Sequence, residues 1–134
     1  MAEPWTVEEL RHATERTVAL PFMSAALGRD CTLRVRKVAR IEYLRLLPPW
    51  PAEAKEWPQK DFADREAAWV ATLTPEELDA RWRAIRRAKY RIIATAALEP
   101  VLTEGDVERL GDDVDTVLEA LLSFMNEGAA SNGA

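Results

Sequence analysis

Prolines limit the folding of this chain more than any other residue type. Eight are present, and four of them lie between positions 48 and 58. Because proline fixes φ and lacks a backbone N–H, it breaks the interior of a helix but fits the first helical position. Pro21 and Pro48 are therefore expected to interrupt helices. Pro75 is placed to begin a helix, and Pro100 to follow the end of the same helix.

Capping signals mark where the helices begin and end. In a capping box, a threonine and an acidic residue three positions later satisfy each other's backbone N–H groups. The pattern occurs in "TVEE" at Thr6–Glu9 and in "TPEE" at Thr74–Glu77, and "LTEGD" begins another helix at Thr103. Gly28 and Gly111 suit the left-handed position that closes a helix.

The spacing of apolar residues gives approximate ends for two of these helices. The first helix is expected to reach Val18, and the helix beginning at Pro75 is expected to reach about Leu98. Apolar and charged residues alternate near residues 31–36, which favours one short extended segment without a partner strand.

Length and composition suit one domain. The chain has 134 residues, of which 48% are hydrophobic, enough for a single core. We predict a mainly α fold of about five to seven helices in one compact domain over residues 1–126, with a Pro/Trp-rich loop at about 47–60. Residues 127–134 are expected to form a disordered tail. The N-terminus lacks a signal-peptide pattern and no apolar run approaches membrane-spanning length, so a cytoplasmic protein without a membrane partner is expected.

Few residues could support chemistry. Cys31 and His12 are the only cysteine and histidine, which excludes a disulfide framework and a Cys/His zinc site within one chain. Cys31 has basic neighbours at Arg29 and Arg34, but a nucleophile also needs a base and an oxyanion site. We therefore predict no enzymatic activity, with no catalytic, metal-binding or cofactor-binding residues and no cofactor.

An acidic cluster, Asp112, Asp113 and Asp115, could indicate a calcium or magnesium loop. Such a loop needs oxygen ligands at alternating positions and a closing glutamate, whereas this segment continues directly into an apolar helix. Asp112 or Asp113 is better interpreted as the N-cap of that helix.

The stretch "RWRAIRRAKYR", residues 81–91, carries six positive charges and no negative one. On a helical wheel, an apolar arc that includes Leu78, Trp82 and Ile85 lies opposite a line of arginines. A helix that reads DNA needs base-contacting side chains near its N-terminus, but this helix begins "PEELD", and the sequence pI is near 5.0. Nucleic-acid binding is therefore the less favoured interpretation. Residues 99–134, the acidic C-terminal quarter, hold nine acidic residues against one arginine. The arginines of the basic stretch are expected to meet this quarter or a protein partner.

The proline-rich loop has two interpretations. "RLLPPWP" fits an arginine-x-x-proline-x-x-proline ligand of proline-reading modules. Alternatively, its tryptophans pin the loop against the helices. The candidate partner-binding residues comprise the loop's prolines and tryptophans with the arginine line as a polar rim: Pro48, Pro49, Trp50, Trp57, Arg83, Arg87 and Arg91.

The C-terminal third resembles the tail assembly chaperones of long-tailed bacteriophages. The likeness is strongest over residues 88–125, in the order of a helix with an apolar end, "LEPVLTEGDVERL", and the amphipathic "GDDVDTVLEALLSF". "LRVRKVARIEYLRLLPPWP" fits the same family more weakly.

The resemblance implies a non-catalytic protein of the host cytoplasm that binds the tape-measure protein and helps recruit the major tail protein. Such chaperones leave before the virion is complete, so absence from the mature particle is expected. Self-association and a longer frameshifted form stay open. Two alternatives also stay open: a small structural adaptor, such as a head-tail joining or tail protein, retained in the virion, and a helical nucleic-acid-binding regulator that uses residues 81–91.

Overall fold

A computed structural model describes the backbone of residues 3–48 and 50–132, with side chains up to residue 127. Its residues form two compact units. The sheet unit contains the chain up to Leu46 together with the chain from Lys89 onward, and the tryptophan unit is Leu47–Ala88. A single compact domain over residues 1–126 stays a prediction.

The described residues contain seven α-helices and one small sheet, so the mainly α prediction is confirmed at that level. The helices are α1 Val7–Thr14, α2 Pro21–Leu27, α3 Arg40–Leu46, α4 Phe62–Val70, α5 Pro75–Ala96, α6 Glu104–Glu108 and α7 Asp113–Asn132. The strands are β1 Glu15–Ala19, β2 Thr32–Arg36 and β3 Ala97–Glu99. α7 continues to Asn132, beyond the boundary at 126 that the sequence suggested.

The sheet corrects two of the predicted helix boundaries. The first helix ends at Thr14, and β1 follows it directly. Thr17 and Val18 are β-branched and favour an extended backbone, and pairing with β2 lets Val18 join the core. The helix that begins at Pro75 ends at Ala96, before β3.

The extended segment near 31–36 is confirmed as β2, but the expectation that it would be isolated is wrong. β2 is the central strand of an antiparallel sheet with the order β1-β2-β3. β1 pairs with it from Glu15 opposite Arg36 to Ala19 opposite Thr32. β3 pairs through Val35 opposite Ala97, with a register shift before the next pair.

The predicted threonine caps and the two predicted glycine ends are confirmed. The Thr6 and Thr103 hydroxyls each accept the N–H of the residue three positions on, and their own backbone N–H groups donate to the carboxylate of that residue. Thr74 and Glu77 exchange the same pair of bonds. Gly28 and Gly111 have φ of 69° and 60°, the left-handed conformation expected at a helix end.

The sheet unit holds nearly all of the buried apolar side chains. Leu33 and Val35 of β2 belong to one buried cluster with Ile92 and Ile93 of α5. The C-terminal helices complete the cluster with Val107, Leu110, Val114, Val117 and Leu121.

The tryptophan unit begins with the proline-rich loop. The loop was expected to run extended or to turn, and it contains two short 3₁₀ helices, Ala52–Glu56 and Gln59–Asp61. Each follows a proline, Pro51 or Pro58, in an extended conformation. α4 and the first part of α5 complete the unit.

Candidate partner-binding surfaces

The loop tryptophans pack within their own unit. Trp50 and Trp57 meet the ring of Phe62 edge-on, with centroid separations of 5.7 and 5.3 Å. Such pairs favour edge-to-face geometry. The indole N–H of Trp50 also donates to Glu66. Both rings are half-buried and therefore fasten the loop to the start of α4, which limits the surface that they offer to a partner.

Two of the candidate residues are prolines of the loop, Pro48 and Pro49. Pro48 is half-buried. Pro49 lies outside the described residues. The proline-module interpretation of "RLLPPWP" stays a prediction.

Trp82 on α5 is the tryptophan that sequence periodicity misplaced. The wheel assigned it to the apolar arc, but its side chain is 59% exposed. At this point of α5 the covered side chain is Arg81, which is only 15% exposed. The Arg81 guanidinium lies 4.8 Å from the Trp69 ring centroid and 3.6 Å from Glu66. Ile93 lies at nearly the same angle as Trp82 but three turns further along α5, and it is fully buried. Trp82 is therefore exposed because this part of the helix is uncovered on that side.

The basic face of α5 is largely paired with acids. Arg83 pairs with Asp79, as the i,i+4 spacing predicts. Arg91 lies 3.2 Å from Glu104, within the acidic C-terminal quarter. Lys89 also meets that quarter, 3.4 Å from Asp115.

Two arginines of this stretch are free to pair with a partner's acidic residues. Arg86 and Arg87 are exposed and have no carboxylate partner among the described residues. Arg86 is four residues after Trp82 and therefore lies beside it on the helix surface. An exposed indole next to an uncompensated guanidinium is the residue combination that protein interfaces favour at their centre.

α1 and α3 leave apolar side chains uncovered. Neither helix contains a buried residue. Val7 and Leu10 are exposed on α1, and Trp5 is exposed just before it. Ile41 and Leu44 are exposed on α3.

One ion pair connects β2 to α3. Arg36 donates to both carboxylate oxygens of Glu42, at 3.1 and 2.8 Å, and the Ala39 N–H donates to the same carboxylate at 3.1 Å. These bonds lower the pKa of Glu42 to about 2, with the Arg36 bond as the main cause. The same bond raises the pKa of Arg36.

Asp113 is not the cap of its own helix, contrary to one of the two sequence interpretations. It is the first residue of α7, only 1% exposed, and its two oxygens accept the N–H groups of Phe22 and Met23 at 2.9 Å each. Pro21 begins α2, and the residue before it provides no side-chain cap. Asp113 therefore caps α2 from a distant part of the chain.

A mainly apolar pocket of about 460 Å³ lies beside Cys31 in the sheet unit. Leu20, Met23 and Leu102 are among its lining residues, and Arg29 and Asp30 contribute opposite charges. The Cys31 thiol lies 3.5 Å from the carbonyl of Arg29. This pocket could accept an apolar group, but its lining offers the thiol no histidine as a base.

Within the described part of the chain, no group of three or more His, Cys, Asp or Glu side chains is placed to hold a metal ion. No helix described here combines the length and apolarity needed to cross a membrane. No family model matches the sequence, and neither a curated protein nor a solved structure matches it.

Sequence reasoning missed the exposure of Trp82 and the bonds from Asp113 to the start of α2. A helical wheel carries no information about which turns of a helix are covered by neighbouring elements. Nor does the sequence near Asp113 indicate that its bonding partners lie about ninety residues earlier.

Proposed function

We propose that this protein is a non-catalytic tail assembly chaperone that binds the tape-measure protein in the host cytoplasm and is absent from the finished virion. The proposal combines the resemblance over residues 88–125 with one structural observation: the exposed Trp82 lies beside Arg86, which has no carboxylate partner among the described residues. A tape-measure protein is a long helical client, and amphipathic helices bind through apolar anchors spaced along one face.

Trp82 supplies the anchor in this proposal. A large aromatic side chain in solvent gains apolar burial when it enters a groove on the client, and Arg86 pairs with acidic residues at the rim. Many copies on one long client would act together, so a modest affinity per site is sufficient.

The ion pairs that the arginines of residues 81–91 form with carboxylates favour a protein client over nucleic acid. Arg81, Arg83 and Arg91 already face carboxylates within the described chain, which weakens the attraction for phosphate.

The test is co-expression with the tape-measure protein, followed by co-purification and a search for the chain in purified virions. We expect capture of the client and no chain in the particle. Trp82→Ala should weaken client binding by about tenfold or more, whereas Val101→Ala, at another exposed apolar side chain, should bind as the wild type does. Failure to capture the client, together with retention in the virion, would instead support the structural adaptor.

A further inference from the structure

α1 and α3 present two uncovered apolar faces of opposite charge. Around α1, residues 3–14 contain three acidic residues against one arginine. On α3, Arg40 and Arg45 outnumber Glu42, and that carboxylate is already bound to Arg36 of β2. The uncompensated charge is therefore negative around α1 and positive on α3.

The charges of α3 border its apolar stripe. At 100° per residue, Ile41 and Leu44 fall between Arg40 on one side and Arg45 on the other. All four side chains are exposed. An occupant of this face should offer apolar side chains on a segment of net negative charge.

α1 has that chemistry. Val7 and Leu10 share an exposed side of the helix. Arg11 lies one turn after Val7, Glu8 lies on the far side of the helix from Leu10, and Glu3 and Trp5 precede the helix. Neither Glu3 nor Glu8 has a basic partner among the described residues. α1 therefore complements α3 in apolar character and in net charge.

The chain's own α1 does not cover its own α3. α1 continues into β1 without a linker, and the Lys37 N–H donates to the Thr14 carbonyl at 2.7 Å, beside the start of α3. Folding α1 across α3 would require β1 to leave the sheet, where it pairs over all five of its residues. A second copy carries the same helix without that constraint.

We propose that two copies of this chain associate about a two-fold axis, with α1 of each copy on α3 of the other. Two-fold symmetry repeats the contact, so each dimer contains two helix pairs. Apolar burial of Val7, Leu10, Ile41 and Leu44 stabilises the dimer, and the acidic and basic residues fix its orientation.

The test is sedimentation equilibrium on the purified chain alone, which gives the average molar mass as a function of protein concentration. We expect a dimer. Val7→Asp/Leu10→Asp and Ile41→Asp/Leu44→Asp should each raise the dimer dissociation constant by about tenfold or more, because an unpaired carboxylate would be buried. Leu27→Asp/Val101→Asp makes the same change at exposed apolar sites elsewhere and should leave the constant unchanged. A monomeric wild type, or equal weakening by the control, would overturn the proposal.

A charge exchange tests the pairing of α1 with α3 directly. Arg40→Glu/Arg45→Glu should weaken the dimer, and addition of Glu3→Arg/Glu8→Arg should restore it because the attraction is re-established with reversed signs. If α1 instead contacted α1 of the other copy, and α3 contacted α3, the added substitutions would not restore the dimer. A dimer that is not restored would therefore contradict the α1–α3 arrangement. No client enters these measurements, so they stand apart from the proposed chaperone function.

Discussion

Asp113 shows how one buried residue can stabilise an element far from it in sequence. Its carboxylate is the acceptor for two N–H groups at the start of α2. Asp113→Ala removes both bonds and leaves those donors without their partner, which should lower the free energy of unfolding by about 3 kcal/mol. Asp113→Asn keeps the shape but replaces one acceptor by a donor, and should cost about 2 kcal/mol. Urea denaturation at neutral pH measures both changes.

The neighbouring Asp112 is the matched control, since it is exposed. Asp112→Asn should change the free energy of unfolding by less than about 0.5 kcal/mol. Equal losses for the two asparagine variants would mean that loss of acidic charge at the start of α7, rather than the bonds to α2, sets the cost.

Residue-level prediction from sequence succeeded where partners are close along the chain. Thr6 and Glu9 are three positions apart, so their reciprocal bonds follow from local helix geometry alone. Asp113 and Phe22 are brought together only by the folded chain. The exposure of Trp82 likewise depends on which turns of α5 are covered by other elements, which helical spacing does not specify.

At the scale of elements, Glu42 joins the end of β2 to the start of α3. The bonds from Arg36 and Ala39 hold its pKa at about 2, below the ordinary value of 4.5. A lowered carboxylate pKa stabilises the folded state above the ordinary pKa, and this contribution is lost as pH falls through the folded value. Glu42→Gln should therefore cost about 1 kcal/mol at pH 7, a figure reduced for solvent screening of a partly exposed pair.

The pH dependence separates this ion pair from a packing effect. The stability difference between wild type and Glu42→Gln should shrink between about pH 4.5 and about pH 2. Urea titrations across that range measure it, with Glu119→Gln on the exposed side of α7 as control. A difference that stays constant with pH would show that the glutamine disturbs packing instead.

The elements missed from sequence are those that depend on distant pairing. β1 and β3 each adjoin a helix, and local apolar spacing extended those helices through them. Their extended conformation is stabilised by β2, which lies between them in the sheet. β2 itself was found because its alternating residues bury Leu33 and Val35 on one face.

The whole molecule is unevenly stabilised, because buried apolar side chains are concentrated in the sheet unit. Ala88 is the one member of the buried apolar set that belongs to the tryptophan unit, counting described residues only. Half-buried rings and ion pairs stabilise the rest of that unit. Local opening requires less free energy where fewer apolar contacts are lost.

Amide hydrogen exchange should therefore report lower protection in Leu47–Ala88 than in the sheet unit. α5 is the internal control because the same helix contributes to both units. Amides near Ile92, Ile93 and Ala96, which are buried, should exchange at least about tenfold more slowly than amides near Asp79 and Arg83, after correction for intrinsic rates. Uniform protection along α5 would show instead that the two units open together, as the single-domain prediction requires.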